Sequence, residues 1–310
     1  MTRSTARFAT AVALSLLVLG TASDSSAQPK EKAKDRGPAK LYRFPGATVS
    51  DDALQLGVWF TSFDHGTYAR DLAMMSWDKE KKIWTRGRFG SPADTNEGQL
   101  VFGQKIYAPA DGEVISCWRN APDNPKPDRA LPERDGCDGT CDGCKGKCEK
   151  KPDCSCSIPR SGNHINIKLA DGSVMLLAHL RSGTIPSGVC PKTGMYVENA
   201  EAKTIEGAFY KEIYIPEGSR PKIKRGQFLG QVGNSGASDG PHLHVHLTPC
   251  VGCAAIPFPF EEAKRQEVSM DPHEPSDPKK WVPLKAALLP RQKSGEKREI
   301  ILPDPAPKQN

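Results

Sequence analysis

The sequence predicts an all-β fold: an antiparallel sandwich or curled sheet with a central groove and several loop insertions. Two observations carry this. Short alternating or β-branched runs recur along the chain, divided by turn dipeptides such as Asp111-Gly112, Asp171-Gly172 and Glu217-Gly218. Long helical periodicity is lacking, which leaves sheet packed on sheet as the way to build a core.

The strand-like segments come in order. LQLGVWFTSF from Leu54 opens the series, and QLVFGQKIYAPADGEVISCW from Gln99 supplies a pair with a tight turn at Asp111-Gly112. NHINIKLADGSVMLLAHL from Asn163 reads as a hairpin around Asp171-Gly172. FYKEIYIP from Phe209 and GQFLGQVG from Gly226 follow, then GPHLHVHL from Gly240. Only EEAKRQEV, Glu261 to Val268, suggests a short helix, and the Pro- and Lys-rich remainder of 263–310 reads as a loosely packed tail. WDKEKKIWTRGRF, within an insertion near 76–98, reads as a charged hairpin carrying Trp77 and Trp84, whose rings either stack on sugars or staple the loop.

Ahead of the β domain, placed at 51–262, stand two segments of different character. Residues 1–27 have Arg3 and Arg7, an apolar run from about Phe8 to Leu19, and small residues ending Ser25-Ser26-Ala27, the layout of a cleaved secretory signal. The apolar run is shorter than the roughly 20 residues a membrane span needs, so stable insertion after signal cleavage is not expected. The expected location is the periplasm or the extracellular space. Residues 28–50 read as a basic, Pro-containing linker. The formal charge of +6 falls to +5 without Arg3, Arg7 and Asp24, and +3 of it resides in Lys30–Lys40. The folded remainder is nearly balanced and has no basic, aromatic stripe, which argues against nucleic acid as a partner.

Export gives the ten cysteines their meaning, since thiols oxidise outside the cytosol. Seven lie between Cys117 and Cys156, most of them in a second insertion near 120–157 too poor in apolar residues to make a core. Disulfides are expected there rather than a zinc knuckle. Connectivity does not follow from spacing. Cys190 falls in a third insertion near 188–218, and the Cys250/Cys253 pair reads as oxidised for the same reason.

Three of seven histidines occupy alternate positions in GPHLHVHL. On a strand, His242, His244 and His246 share one face while Leu243, Val245 and Leu247 share the other. Three imidazoles on one face need polar company, which points to a polar groove above an apolar core.

The run Gly226 to His244, GQFLGQVGNSGASDGPHLH, strongly resembles the signature of the lysostaphin-like, or LytM-type, zinc metallopeptidases. Leu177-Ala178-His179-Leu180 matches that family's Ala-His-Leu element, and Ala108 to Val114 matches its Ala-Pro-x-x-Gly-x-Val turn and strand. His65 and Asp71, in DHGTYARDLA, are the candidates for its upstream His and Asp. The resemblance implies one Zn²⁺ held by His65, Asp71 and His244, with a fourth position open to water, the nucleophile toward a peptide carbonyl. It gives His242 and His179 the catalytic roles of base and oxyanion donor, without settling which takes the proton. His246 would orient a ligand or simply hydrogen-bond in the wall. His164 reads as structural and His273 as an exposed loop residue.

The implied substrate is a peptide of bacterial peptidoglycan, and the implied activity is zinc-dependent endopeptidase hydrolysis. Oligomeric state is left open. Five residues separate His65 from Asp71 where the family has three, so the chain must bend, and Gly66-Thr67 is the expected place. Otherwise His65 is a surface residue, with Asp64 as spare carboxylate. The rival reading is a non-catalytic wall-binding or hydrolase-activating module of the same fold. A cysteine-rich interaction protein that uses the fold as scaffold is a third.

Overall fold

Strand Val58–Phe63 (β2) reads VWFTSF because it is covered on both faces. Val58 and Phe60 join one apolar cluster with Ala73, Met75, Trp84, Val268 and Ile300. Trp59 between them joins the larger cluster with Leu72, Met74, Leu243, Val245 and Ile301. In this computed structural model the described residues are 41–47, 57–63, 68–88, 91–92, 94–127, 160–191, 214–251, 253–284 and 297–305. They form an all-β fold.

The main sheet has eleven strands. Besides β2 they are Arg70–Asp78 (β3), Ile83–Thr85 (β4), Gly112–Trp118 (β6), Asn163–Leu169 (β7), Val174–Leu180 (β8), Lys222–Ile223 (β9), Leu243–Thr248 (β11), Ala263–Ser269 (β13), Val282–Pro283 (β14) and Lys297–Pro303 (β15). Their order is β14-β13-β15-β2-β3-β11-β8-β7-β6-β9, with β4 paired to β3. Every pairing in it is antiparallel. Phe228–Gln231 (β10) pairs antiparallel with Lys105–Tyr107 (β5), and Tyr42–Arg43 (β1) pairs parallel with Phe260–Glu261 (β12). Helix is limited to two three-residue 3-10 turns among the described residues, and none is long and apolar enough to cross a membrane.

Several expectations need correction. The helix expected at Glu261–Val268 is strand. Eight residues make a marginal helix alone, whereas β13 gains a full ladder with β15 and the cross-strand pairs Arg265–Glu299 (2.7 Å) and Glu267–Lys297 (2.9 Å). The tail is therefore part of the sheet: Ile300 and Ile301 of β15 are buried on opposite faces. The linker also ends earlier than expected. Tyr42, Arg43 and Phe44 are buried, with Phe44 set edge-on against Trp59 and Phe260. FYKEIYIP contributes no strand over its described residues, 214–216. Signal and linker up to residue 40, and Cys137–Cys156, lie outside the described residues.

Other expectations hold. The Trp77/Trp84 hairpin forms, with those two residues in register and their rings 5.6 Å apart edge to face. Trp84 Nε1 donates to the Glu274 carbonyl (2.8 Å), and its backbone N–H reaches His273 Nδ1 at 3.3 Å. The rings staple the loop, and half-buried His273 is part of that staple rather than an exposed residue. The LADGSV hairpin closes through Leu169 N–H to Ser173 O (2.8 Å). Disulfides join Cys117 to Cys190, with Cα atoms 5.9 Å apart, and Cys250 to Cys253.

Candidate functional site

The alternation expected of GPHLHVHL is present. Leu243, Val245 and Leu247 are buried in the large core, while His242, His244 and His246 are half-buried on the opposite face. Strand β11 runs between β3 and β8, and its register sets His244 directly opposite Asp71 on one side and Ala178 on the other. Directly opposed residues of an antiparallel pair share a face. The Asp71 carboxylate, buried at 3% exposure, accordingly meets the His244 ring, with Oδ1 2.8 Å from Nδ1. Ala178 adds no bulk above His244.

His179 should face away, because it follows Ala178 in the strand. Instead, β8 carries a bulge there: Leu180 pairs with Asn163 and Leu177 with Ile165, so Ala178 and His179 together oppose His164. His179 takes φ +61°, the left-handed region that non-glycine residues seldom occupy. That turn re-aims the ring, whose centroid lies 4.6 Å from that of His242 and 5.9 Å from that of His244. The bulge backbone is fully hydrogen-bonded, His179 N–H to Ser161 O and Gly233 N–H to His179 O, both 2.9 Å.

Two backbone carbonyls fix the tautomers of the flanking imidazoles. His179 Nδ1 lies 2.8 Å from Ser235 O, and His242 Nδ1 lies 2.7 Å from Gly240 O. A carbonyl only accepts, so each Nδ1 carries the proton and each Nε2 is the basic nitrogen. His242 Nε2 lies 3.6 Å from Asp71 Oδ1. The carbonyls are themselves braced. Ser235 Oγ donates to Leu180 O (2.8 Å) and accepts from Asn163 N–H (2.9 Å), and Ser238 Oγ donates to Gly240 O (2.8 Å). Ser235, Ser238 and Gly240 had no assigned role in the sequence reading. The signal was present, since all three lie inside the motif run Gly226 to His244.

His246 Nδ1 lies 2.9 Å from His244 Nε2. Burial first, and the neighbouring His244 second, push the His246 pKa down to about 4, so its ring is neutral at physiological pH. Neutral Nδ1 can accept a hydrogen bond from His244 Nε2–H and so orient that imidazole. His164 is buried and bonded through Nδ1 to Gly162 O at 2.9 Å, in keeping with a structural role.

Ligand atoms about 2.0–2.1 Å from a tetrahedral ion sit roughly 3.3 Å from each other. Asp71 Oδ1 and His244 Nδ1, at 2.8 Å, need only a small spread to reach that spacing. His65 lies outside the described residues. Among the described residues no group of three His, Cys, Asp or Glu side chains is arranged to hold a metal. Gly66-Thr67, where the bend is expected, also lies outside the described residues; the flanking strands β2 and β3 run antiparallel.

No protein-family profile matches the chain, and no curated protein matches it. Among solved structures it is similar to a zinc-containing peptidase from Vibrio cholerae, at 14% identity and TM-score 0.22, over 58% of this chain and 46% of that one. It is also similar to a mutant of the catalytic domain of the prophage-encoded M23 protein EnpA from Enterococcus faecalis. That match has 20% identity and TM-score 0.19, over 55% of this chain and 92% of the other. The chain thus spans about half the length of the Vibrio peptidase. Likeness this distant carries no functional argument, which has to come from the residues themselves.

Proposed function

We propose that the protein is an exported zinc endopeptidase that hydrolyses peptide bonds in bacterial cell-wall peptidoglycan, in the periplasm or outside the cell. In this reading the sheet face bearing the histidines is the floor of a lysostaphin-type groove, which takes an extended peptide along strand edges. The observation that carries it is the in-register pair of Asp71 and His244, with the basic nitrogens of His179 and His242 fixed beside it.

Asp71 Oδ1 and His244 Nδ1 are two of the proposed ligands, and His65 the third. His65 stands two residues after Phe63, whose backbone pairs with Asp71. The ion, when bound, supplies a Lewis acid that polarises a carbonyl and lowers the pKa of water to about 7. His242 and His179 supply the proton chemistry. Each offers Nε2 as acceptor, and whichever has taken the proton becomes a donor to the developing oxyanion or the leaving amine. Backbone carbonyls on Nδ1 hold both rings in place, so little reorganisation accompanies transfer.

Two measurements test the proposal. Incubation with purified peptidoglycan should release new amino groups, and release should stop with chelator and return with Zn²⁺. Metal analysis should find one zinc per chain, lost in Asp71→Ala and His244→Ala. Digestion indifferent to chelator, or no digestion by zinc-loaded protein, would overturn it.

A further inference from the structure

We propose that Asn124 is a positioning residue for the proton transfers at His179 and His242, acting by gripping the loop whose carbonyls set both rings. Its place in catalysis rests on the proposed function. Its grip on the loop rests on hydrogen bonds.

Residues 234–240 lie between β10 and β11, outside both strands, so their backbone carbonyls need partners beyond a regular ladder. Four of these carbonyls divide between two tasks. The outer pair, Ser235 O and Gly240 O, hold Nδ1 of His179 and of His242. The inner pair, Gly236 O and Ser238 O, both accept from the Asn124 side-chain amide, at 3.1 and 2.9 Å. One nitrogen thus grips the loop midway between the two carbonyls that the histidines use. The Asn124 backbone N–H adds a bond to Asn234 O (2.8 Å), and Asp123 Oδ1 accepts the Asn234 N–H (2.7 Å).

Asn124 is itself held. It is 1% exposed, its carbonyl accepts from Asn96 Nδ2 (2.6 Å), and Asn96 Oδ1 accepts from Asn234 Nδ2 (2.9 Å). Three buried asparagines therefore close a ring of hydrogen bonds beneath the loop. Two carbonyls side by side call for two hydrogens from one short, uncharged side chain, which asparagine supplies; an ionised aspartate only accepts. Across the loop, Ala237 N–H donates to Arg160 O (2.9 Å), and a Cβ on Gly236 would lie 2.3 Å from Gly162 N. The loop is clamped from two sides, and Asn124 is one of them. It stands at the start of the insertion expected near 120–157, so these first residues of the insertion belong to the frame of the site.

The test reads the rings directly. Imidazole ¹⁵N spectra of the full chain, treated with chelator and held at about pH 8.5, above the ordinary imidazole range, should show His179 and His242 of the wild type as single Nδ1–H tautomers. In Asn124→Asp each should become a mixture of tautomers. For the zinc-loaded variant, kcat on peptidoglycan should fall by about 10–100-fold, with KM within about two-fold and zinc still at one per chain. Asn124→Ala, which removes both donors without burying a charge, carries the same readings where the Asp variant does not fold. Failure of both to fold would make Asn124 a folding residue and overturn the proposal. So would a folded variant that keeps both single tautomers, or one whose kcat stays within about three-fold of wild type. Absence of chelator-sensitive digestion by the wild type would sink the peptidase reading alone, and the tautomers would then decide the clamp.

Discussion

Gly162→Ala should disable the site without touching a single imidazole. Gly162 sits at φ +57°, and a Cβ built on it would lie 2.4 Å from both the carbonyl carbon and the oxygen of Ser235. Ordinary carbon contacts begin near 3.5 Å, so the two segments must part by about 1 Å. Ser235 O is the acceptor that holds His179 Nδ1 at 2.8 Å, and a retreat of that size takes it beyond hydrogen-bond reach. Misplacement of about 1 Å in a catalytic constellation costs on the order of 10²-fold, and kcat/KM for chelator-sensitive digestion should fall by about that much. The left-handed backbone adds about 1–2 kcal/mol and overpacking about 1–3, for a total loss of stability of roughly 2–5 kcal/mol by denaturant titration. Gly172→Ala is the control: φ is +84°, but nothing lies within 4 Å of the added carbon. It should show only the backbone penalty, about 1–2 kcal/mol, and unchanged activity. If Gly162→Ala is destabilised as expected yet cleaves within about three-fold of Gly172→Ala, Ser235 does not set the His179 ring.

Three more expectations can be checked alongside. His179→Ala and His242→Ala should each lower kcat by about 10²–10⁴-fold while zinc content stays at one per chain; loss of metal instead would move that histidine into the ligand set. Replacing Cys117 and Cys190 together by Ala opens a loop spanning 73 residues, which by chain entropy lowers stability by about 4 kcal/mol; a change in urea midpoint equivalent to less than about 1 kcal/mol would contradict this. Trp84→Ala should destabilise by about 3–5 kcal/mol and leave affinity for wall glycan unchanged, because the ring is spent on Trp77 and Glu274; weaker glycan binding at intact stability would restore the sugar-stacking role.

The sequence made legible whatever is local. The alternation of His242, His244 and His246 against Leu243, Val245 and Leu247 needs only the two-residue period of a strand, and it is what the fold shows. The same period misplaces His179, because a bulge and a positive φ decide where that ring points, and neither leaves a mark in LLAHL. EEAKRQEV read as helix because its partner strand, KREIILP, lies far along the chain, where only tertiary pairing reveals it. Tyr42 to Phe44 looked like more linker for a similar reason: their partners are Phe260, Glu261 and Trp59.

Strand β15 closes the sheet between β13 and β2, and Ile301 meets Trp59 across more than 200 residues of intervening chain. The edge of β2 therefore stays open until residues near 301 have been synthesised. Contacts so remote in sequence form slowly. In the exported protein proposed above, this late closure would leave the β2 edge unpaired, and the chain open, while it passes through a secretion pore.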